Sequence, residues 1–191
     1  MSNILRRACA PTDLEIRGDG RTIVGLAVPF DTPTLISGPG GSYTEVFRRG
    51  AFARTLTERG ASRVKVFACH DSRALPLGRA DVLREDAAGL YCELKVSQTA
   101  AGNEALELVR DGALDSLSVG FAPVRESRGE ATGLVERTEV KLYEISLVAF
   151  PSYEAARILA VRSDLTPGGA NPLLNRARHA QRLADLIRLE I

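Results

Sequence analysis

Asp111-Gly-Ala-Leu-Asp-Ser-Leu-Ser-Val-Gly-Phe121 is the stretch on which the fold turns. A helical pattern runs into it and stops at Asp111-Gly112, where glycine can take the left-handed conformation that closes a helix. From Ser116 onward the residues alternate with the period of a strand. Ser116, Ser118 and Gly120 fall on one face, and Leu117, Val119 and Phe121 on the other. Two hydroxyls and a glycine are poor core material, so the simplest reading is a polar face turned to water. Two other strands, one with a histidine at its end and one with a carboxylate in its middle, weigh against that reading.

Working outward, the helix before the stretch spans Thr99 to Asp111, with Ala101, Ala105, Leu108 and Val109 as its inner stripe. Ahead of it, Arg79–Arg84 and Leu90–Ser97 form a hairpin around Glu85-Asp-Ala-Ala-Gly89, and Leu90, Cys92, Leu94 and Val96 point one way. Val64-Lys-Val-Phe-Ala-Cys-His70 is expected as a strand with Val64, Val66, Ala68 and His70 on one face. A helix is expected from Phe47 to Arg59, stopped by Gly60. Asp31 to Ser42, with two prolines and three glycines, reads as an irregular surface loop. Thr22 to Val28 is a short apolar strand ending at Pro29, and residues 1–20 are expected to be partly mobile.

Downstream, Arg125–Gly133 reads as a polar hairpin loop and Thr138 to Phe150 as the most apolar strand. Ser163 to Ala170 is linker-like, and Asn171-Pro172 begins a tail helix. Its seam is Leu173, Ala177, Ala180, Ala184, Ile187 and Ile191. The expected organisation is therefore an N-terminal segment 1–20, a domain 21–162, a linker 163–170 and an amphipathic helix 171–191. Many short strands with two or three helices suggest a mixed β-barrel or α+β core.

Composition narrows the function classes. The 191 residues suit one domain and an appendage, and 25 Lys+Arg against 24 Asp+Glu leave no broad field for nucleic acid or an anionic membrane. Apolar runs are strand-sized, and the N-terminus lacks the apolar core of a secretory signal. Three cysteines at no disulfide-like or zinc-like spacing suggest a reducing compartment. With two histidines, His70 and His179, no metal cluster is expected, and no cofactor.

Three residues could carry chemistry. His70 is the sole histidine of the expected domain, and a hydrogen-bonded ring at a strand end is its plainest role. Cys69 beside it would project to the opposite face of a strand, which disfavours a Cys–His pair and assigns Cys69 to core packing. Glu144 shares a strand face with Val140, Leu142, Ser146 and Val148, so it sits among apolar neighbours and needs a partner. An arginine or a histidine would serve. Ser118, His70 and Glu144 together supply a nucleophile, a base and an orienting acid, the set that acyl transfer requires.

In five blocks the sequence resembles the prohead maturation proteases of tailed bacteriophages, relatives of the herpesvirus assemblins. Gly25-Leu-Ala-Val-Pro-Phe30 resembles the opening strand, and Tyr43-Thr-Glu-Val-Phe-Arg-Arg-Gly-Ala-Phe52 the segment that starts the first helix. Cys69-His-Asp-Ser-Arg-Ala-Leu-Pro-Leu-Gly78 resembles the histidine block. Leu117-Ser-Val-Gly-Phe121 and Leu142-Tyr-Glu-Ile-Ser-Leu-Val-Ala-Phe-Pro151 resemble the nucleophile block and the strand after it. The likeness spans roughly residues 20–160, and Pro151-Ser152 departs from the family's frequent Pro-Ala.

The resemblance implies a mainly β, α+β fold, a herpesvirus-protease-like β-barrel with a few surrounding helices. It implies His70 as base, Ser118 as nucleophile, Glu144 as third member and Ser116 as fallback nucleophile. Backbone N–H groups of Val119 and Gly120 are candidate oxyanion donors. It further implies a serine endopeptidase in the host cytoplasm, inside the assembling prohead. The implied substrates are scaffold, the major capsid protein and the chain itself. Self-association through the tail helix or the barrel would fit, as would a tail that binds scaffold or folds back on its own core. A non-catalytic capsid-assembly protein with the same fold is the competing reading.

Overall fold

The computed structural model describes residues 5–9, 15–17, 20–38, 41–129 and 133–149. The linker 163–170 and the tail helix 171–191 expected from sequence lie outside the described residues. Ten strands and two helices follow in chain order among them. Strands β1 (Leu5–Cys9), β2 (Glu15–Arg17), β3 (Thr22–Pro29), β4 (Thr34–Gly38) and β5 (Gly41–Phe47) precede helix α1 (Ala53–Arg59). A 3₁₀ turn at Ala61–Arg63 leads into β6 (Lys65–Ala68), β7 (Gly78–Glu85) and β8 (Gly89–Val96). Helix α2 (Ala100–Asp111) then feeds β9 (Ser116–Arg128), which returns as β10 (Val135–Val148).

The strands form one sheet in the order β1-β9-β10-β6-β7-β8-β3-β2, with the β4–β5 hairpin attached to β10. Among the described strands only the β10–β5 and β10–β6 pairings are parallel. The sheet curls until β3 lies against β1 and β9 near its opposite end, a half-barrel whose concave face is the core. Leu117, Val119 and Phe121 of β9 enter that core with Leu142, Ile145 and Leu147 of β10. Leu90, Cys92, Leu94 and Val96 enter it from β8, all at most 1% exposed, as their period-2 spacing predicts.

Strand β10 is the spine of this arrangement. Along one edge it pairs with β9; along the other it pairs with β5 at Val135–Arg137 and with β6 at Glu144–Leu147. Between those two partners its backbone would be orphaned in the interior, a costly state. The segment around α1 fills the gap. Val140 N–H donates to the Ala51 carbonyl at 2.8 Å, and Leu142 N–H to Thr55 Oγ1 at 3.1 Å. Thr55 Oγ1 in turn donates to the Val140 carbonyl at 3.0 Å. Buried Thr55 thus stands in for a strand.

Helix α2 ends as expected at Gly112, left-handed at φ 85°, and at its start Thr99 is the N-cap rather than the first helical residue, its Oγ1 accepting from Gly102 N–H at 3.0 Å. Its buried stripe is Gly102, Ala105, Leu106 and Val109, with Leu108 partly buried against the core; Ala101, expected inside, is exposed. Gly102 is on the inner side because a Cβ there would lie 2.2 Å from the Ser97 carbonyl oxygen.

Several expectations fail for one physical reason: glycine and proline mark turns, not the length of a loop. Residues 34–38 and 41–47, read as part of a loop and a helix start, are a hairpin. Phe47 is a buried strand residue, and the helix begins only at Ala53, after a turn at 49–52. Arg125–Arg128, read as loop, continues β9, and two segments of the 1–20 stretch are strands.

Candidate active site

The outer face of the β9–β10 pair carries the residues of interest. In the ladder Ser116 faces Val148, Ser118 faces Ser146, and Gly120 faces Glu144. One residue further the register slips: Leu142 pairs with Phe121, leaving Tyr143 as the extra residue of a bulge. The bulge corrects the sequence reading in one respect. Strict alternation puts Glu144 on the face of Val140 and Leu142, but those two point into the core. Glu144, beyond the bulge, stands on the opposite face with Ser118.

His70 arrives from the end of β6, which stops at Ala68 rather than running to residue 70. Cys69 and His70 are both left-handed, at φ 48° and 60°. Each non-glycine residue there costs about 1 kcal/mol or more, so the surroundings must enforce the turn. Cys69 N–H donates to the Leu147 carbonyl at 2.9 Å, and Asp71 N–H to the Ala68 carbonyl at 3.0 Å. The turn carries His70 off the core face of Val64 and Val66 and over to the β9–β10 outer face. It also leaves Cys69 exposed, so the expectation that Cys69 packs in the core is overturned.

These three strand ends meet. His70 Nδ1 lies 2.7 Å from Glu144 Oε1, and His70 Nε2 lies 2.5 Å from Ser118 Oγ. With Nδ1–H donating to the carboxylate, Nε2 carries the lone pair that faces the serine hydroxyl. Glu144 is nearly buried and Ser118 is 1% exposed. Ser146 Oγ is 3.5 Å from Glu144 Oε2, and the Arg6 guanidinium, from β1, comes within 3.9 Å of Oε1.

Ser116 lies on the same face but is not brought to the histidine. Its hydroxyl donates instead to Asp115 Oδ1 at 2.7 Å. Val119 and Gly120 each sit in two ladders, opposite Arg7 and Arg6 of β1 and Ile145 and Glu144 of β10. Their N–H groups therefore point along the sheet toward those strands, not at the face where a carbonyl oxygen would sit. Arg6 escaped the sequence reading because the first twenty residues were taken as mobile; no motif marks it. Ser146 was placed on the Glu144 face but given no role.

A second charged cluster lies beside the site. Glu45, fully buried, takes Arg7 Nε on Oε1 at 2.7 Å and Arg137 Nε on Oε2 at 2.6 Å. Tyr43 hydroxyl and Glu126 hold the outer nitrogens of the two guanidinium groups. It joins β1, β5, β9 and β10. Two surface depressions, one between α1 and β10 and one over Pro123, Arg128 and Tyr143, contain none of the three grouped residues.

Comparison with known proteins fits this geometry. The prohead protease of Enterobacteria phage HK97 is 29% identical over 156 residues, covering 80% of this chain and 66% of that protein. The chain thus spans just under two thirds of that relative's length. The bacteriophage T4 capsid assembly protease has a similar fold, with a TM-score of 0.51 at 9% identity, over 76% of this chain and 96% of that one. Residues 11–169, which include His70, Ser118 and Glu144, match the family of caudovirus prohead serine proteases, and the chain belongs to that family.

Proposed function

We propose that the chain is a serine endopeptidase that acts in phage head maturation, cutting scaffold, the major capsid protein and itself inside the assembling prohead. One observation carries the reading: the hydrogen-bonded relay from Glu144 through His70 to Ser118, 2.7 and 2.5 Å long. An isolated serine hydroxyl is a weak nucleophile, and an adjacent imidazole held in one tautomer is what activates it.

In the proposed reaction Ser118 Oγ attacks the scissile carbonyl carbon while His70 Nε2 takes the hydroxyl proton. Glu144 keeps Nδ1–H oriented and offsets the charge of the imidazolium. His70 then gives its proton to the leaving amine, the C–N bond breaks, and an acyl-Ser118 ester remains. Water, deprotonated by the same imidazole, attacks that ester and returns the serine. Ser116, tied to Asp115, has no part in this scheme.

The experiment is co-expression with candidate scaffold and major capsid proteins, with mass spectrometry of the products. Cleavage that disappears in Ser118→Ala, in a protein that still melts cooperatively, supports the peptidase. Identical product patterns for the two would favour the non-catalytic assembly role.

A further inference from the structure

Ser118 as folded cannot meet a peptide, since it is 1% exposed. Among the described residues three pieces of the fold adjoin it: β10, the turn that carries His70, and β1. Moving either of the first two dismantles the relay, because they bear Glu144 and His70. Strand β1 bears neither. It is an edge strand of the sheet whose one ladder partner among the described residues is β9, with Leu5 opposite Phe121, Arg6 opposite Gly120, and Ala8 opposite Ser118.

We propose that the position held by β1 is the strand site for the polypeptide to be cut. An extended peptide pairs antiparallel with Leu117–Phe121 in place of β1, which is the chain's own occupant of the groove. This rests on the serine peptidase reading. Addition of a strand to a sheet edge supplies main-chain hydrogen bonds to any sequence, and it sets the peptide carbonyls in a line beside the serine. Departure of β1 also uncovers the β9 N–H groups that point toward it, in the stretch that includes Val119 and Gly120. Those donors are buried in the ladder while β1 is in place.

The anchoring of β1 suits a displaceable strand. Its fixed points are Leu5, packed against the core edge, and Arg7, paired with Glu45. When Arg7 leaves, Glu45 is not stranded, because Arg137 remains on Oε2 at 2.6 Å. The buried carboxylate keeps a partner in both states, which lowers the cost of opening. Arg6, whose side chain is half exposed, makes a 3.9 Å approach to Glu144 that is lost on opening.

The test measures phosphonylation of Ser118 in the full chain by an alkyl fluorophosphonate. In that step Oγ bonds to phosphorus, fluoride leaves, and the hydroxyl proton goes to His70. Two variants loosen β1 by different means: Arg7→Met removes the ion pair, and Leu5→Ala removes apolar contact and keeps it. If reaction requires an open minor form, its rate follows that form's population, and each variant should label about tenfold faster than wild type. Amides of residues 5–9 should exchange faster, with the melting transition still cooperative. A synthetic strand of residues 5–9 carrying Cys9→Ser should then slow labelling of the loosened variants. Faster exchange with unchanged labelling would overturn the inference and leave the peptidase reading standing. Faster labelling that the synthetic strand does not slow would overturn the strand site. No labelling of any of the three proteins would overturn the peptidase reading and this inference with it.

Discussion

The carboxylate of Glu144 occupies the space in which a side chain at position 120 would begin. A Cβ built on Gly120 falls 2.5 Å from both Glu144 Cγ and Glu144 Oε1. Real Cβ contacts do not come that close, so the two residues exclude each other. The glycine of Leu117-Ser-Val-Gly-Phe121 is therefore explained without any appeal to backbone freedom. It clears the path along which Glu144 reaches His70 from the neighbouring strand.

Gly120→Ala should accordingly act through Glu144. The added methyl pushes the carboxylate off Nδ1, and a displacement near 1 Å is enough to cost about a hundredfold in rate. Because both changes break the same contact, Gly120→Ala with Glu144→Ala should be little worse than either alone. The readout is the fluorophosphonate labelling rate of Ser118. Additive losses would show that Gly120 matters for some other reason.

The three members of the relay should rank. Ser118→Ala and His70→Ala each remove a group that forms or breaks a bond, and losses of at least about a thousandfold are expected. Glu144→Gln keeps an acceptor for Nδ1–H but loses the negative charge beneath the imidazolium. Its loss should be smaller than that of His70→Ala. Cleavage of co-expressed scaffold, scored by mass spectrometry, is the check. A Glu144→Gln protein as dead as His70→Ala, or one that fails to fold, would contradict the ranking.

Much of this site was legible in the sequence because its parts lie on strands with clear period-2 patterns. Ser118 on the face opposite Leu117 and Val119 could be read directly, as could the helix before it with its stop at Gly112. Two features could not. A bulge adds one residue and flips every later side chain to the other face, yet nothing in Leu142-Tyr-Glu144 announces it. The left-handed pair Cys69-His70 is equally silent, since neither residue favours that conformation. Sequence reasoning thus singled out the histidine and the acid that lie within hydrogen-bond distance of each other, while assigning both to the wrong faces. The β4–β5 hairpin was hidden by the Gly38-Pro-Gly-Gly41 stretch between its arms, whose glycines and proline dominated the local composition.

The Arg7–Glu45–Arg137 cluster gives a stability prediction separate from activity. Glu45→Gln leaves two buried guanidinium groups facing a neutral amide, and breaking one partner of such a buried group costs roughly 3 kcal/mol. Arg7→Met should cost clearly less, because Glu45 retains Arg137. Urea unfolding followed by circular dichroism distinguishes them. Equal losses would mean that both arginines are needed to hold the carboxylate, and β1 would then be fixed more firmly than its place at the edge suggests.

The cysteines provide a test that needs no substrate. Burial pushes the Cys92 thiol up from 9.0 to about 12, against a small opposing effect of its contact with the Gly25 carbonyl. The folded state therefore holds this proton more tightly than the unfolded chain does. Stability from this source is intact below about pH 9 and is lost as the pH climbs from there toward 12. The urea midpoint should fall between pH 8 and pH 10.5, and it should fall less in Cys92→Ala, which removes the titrating group. In a Cys9→Ser background, iodoacetamide at pH 8 should modify Cys69 within the native protein, since Cys69 is exposed. Cys92 should react only as fast as the protein unfolds. Rapid native alkylation of Cys92, or midpoints that drop equally with and without its thiol, would contradict a closed core behind β8 and β3.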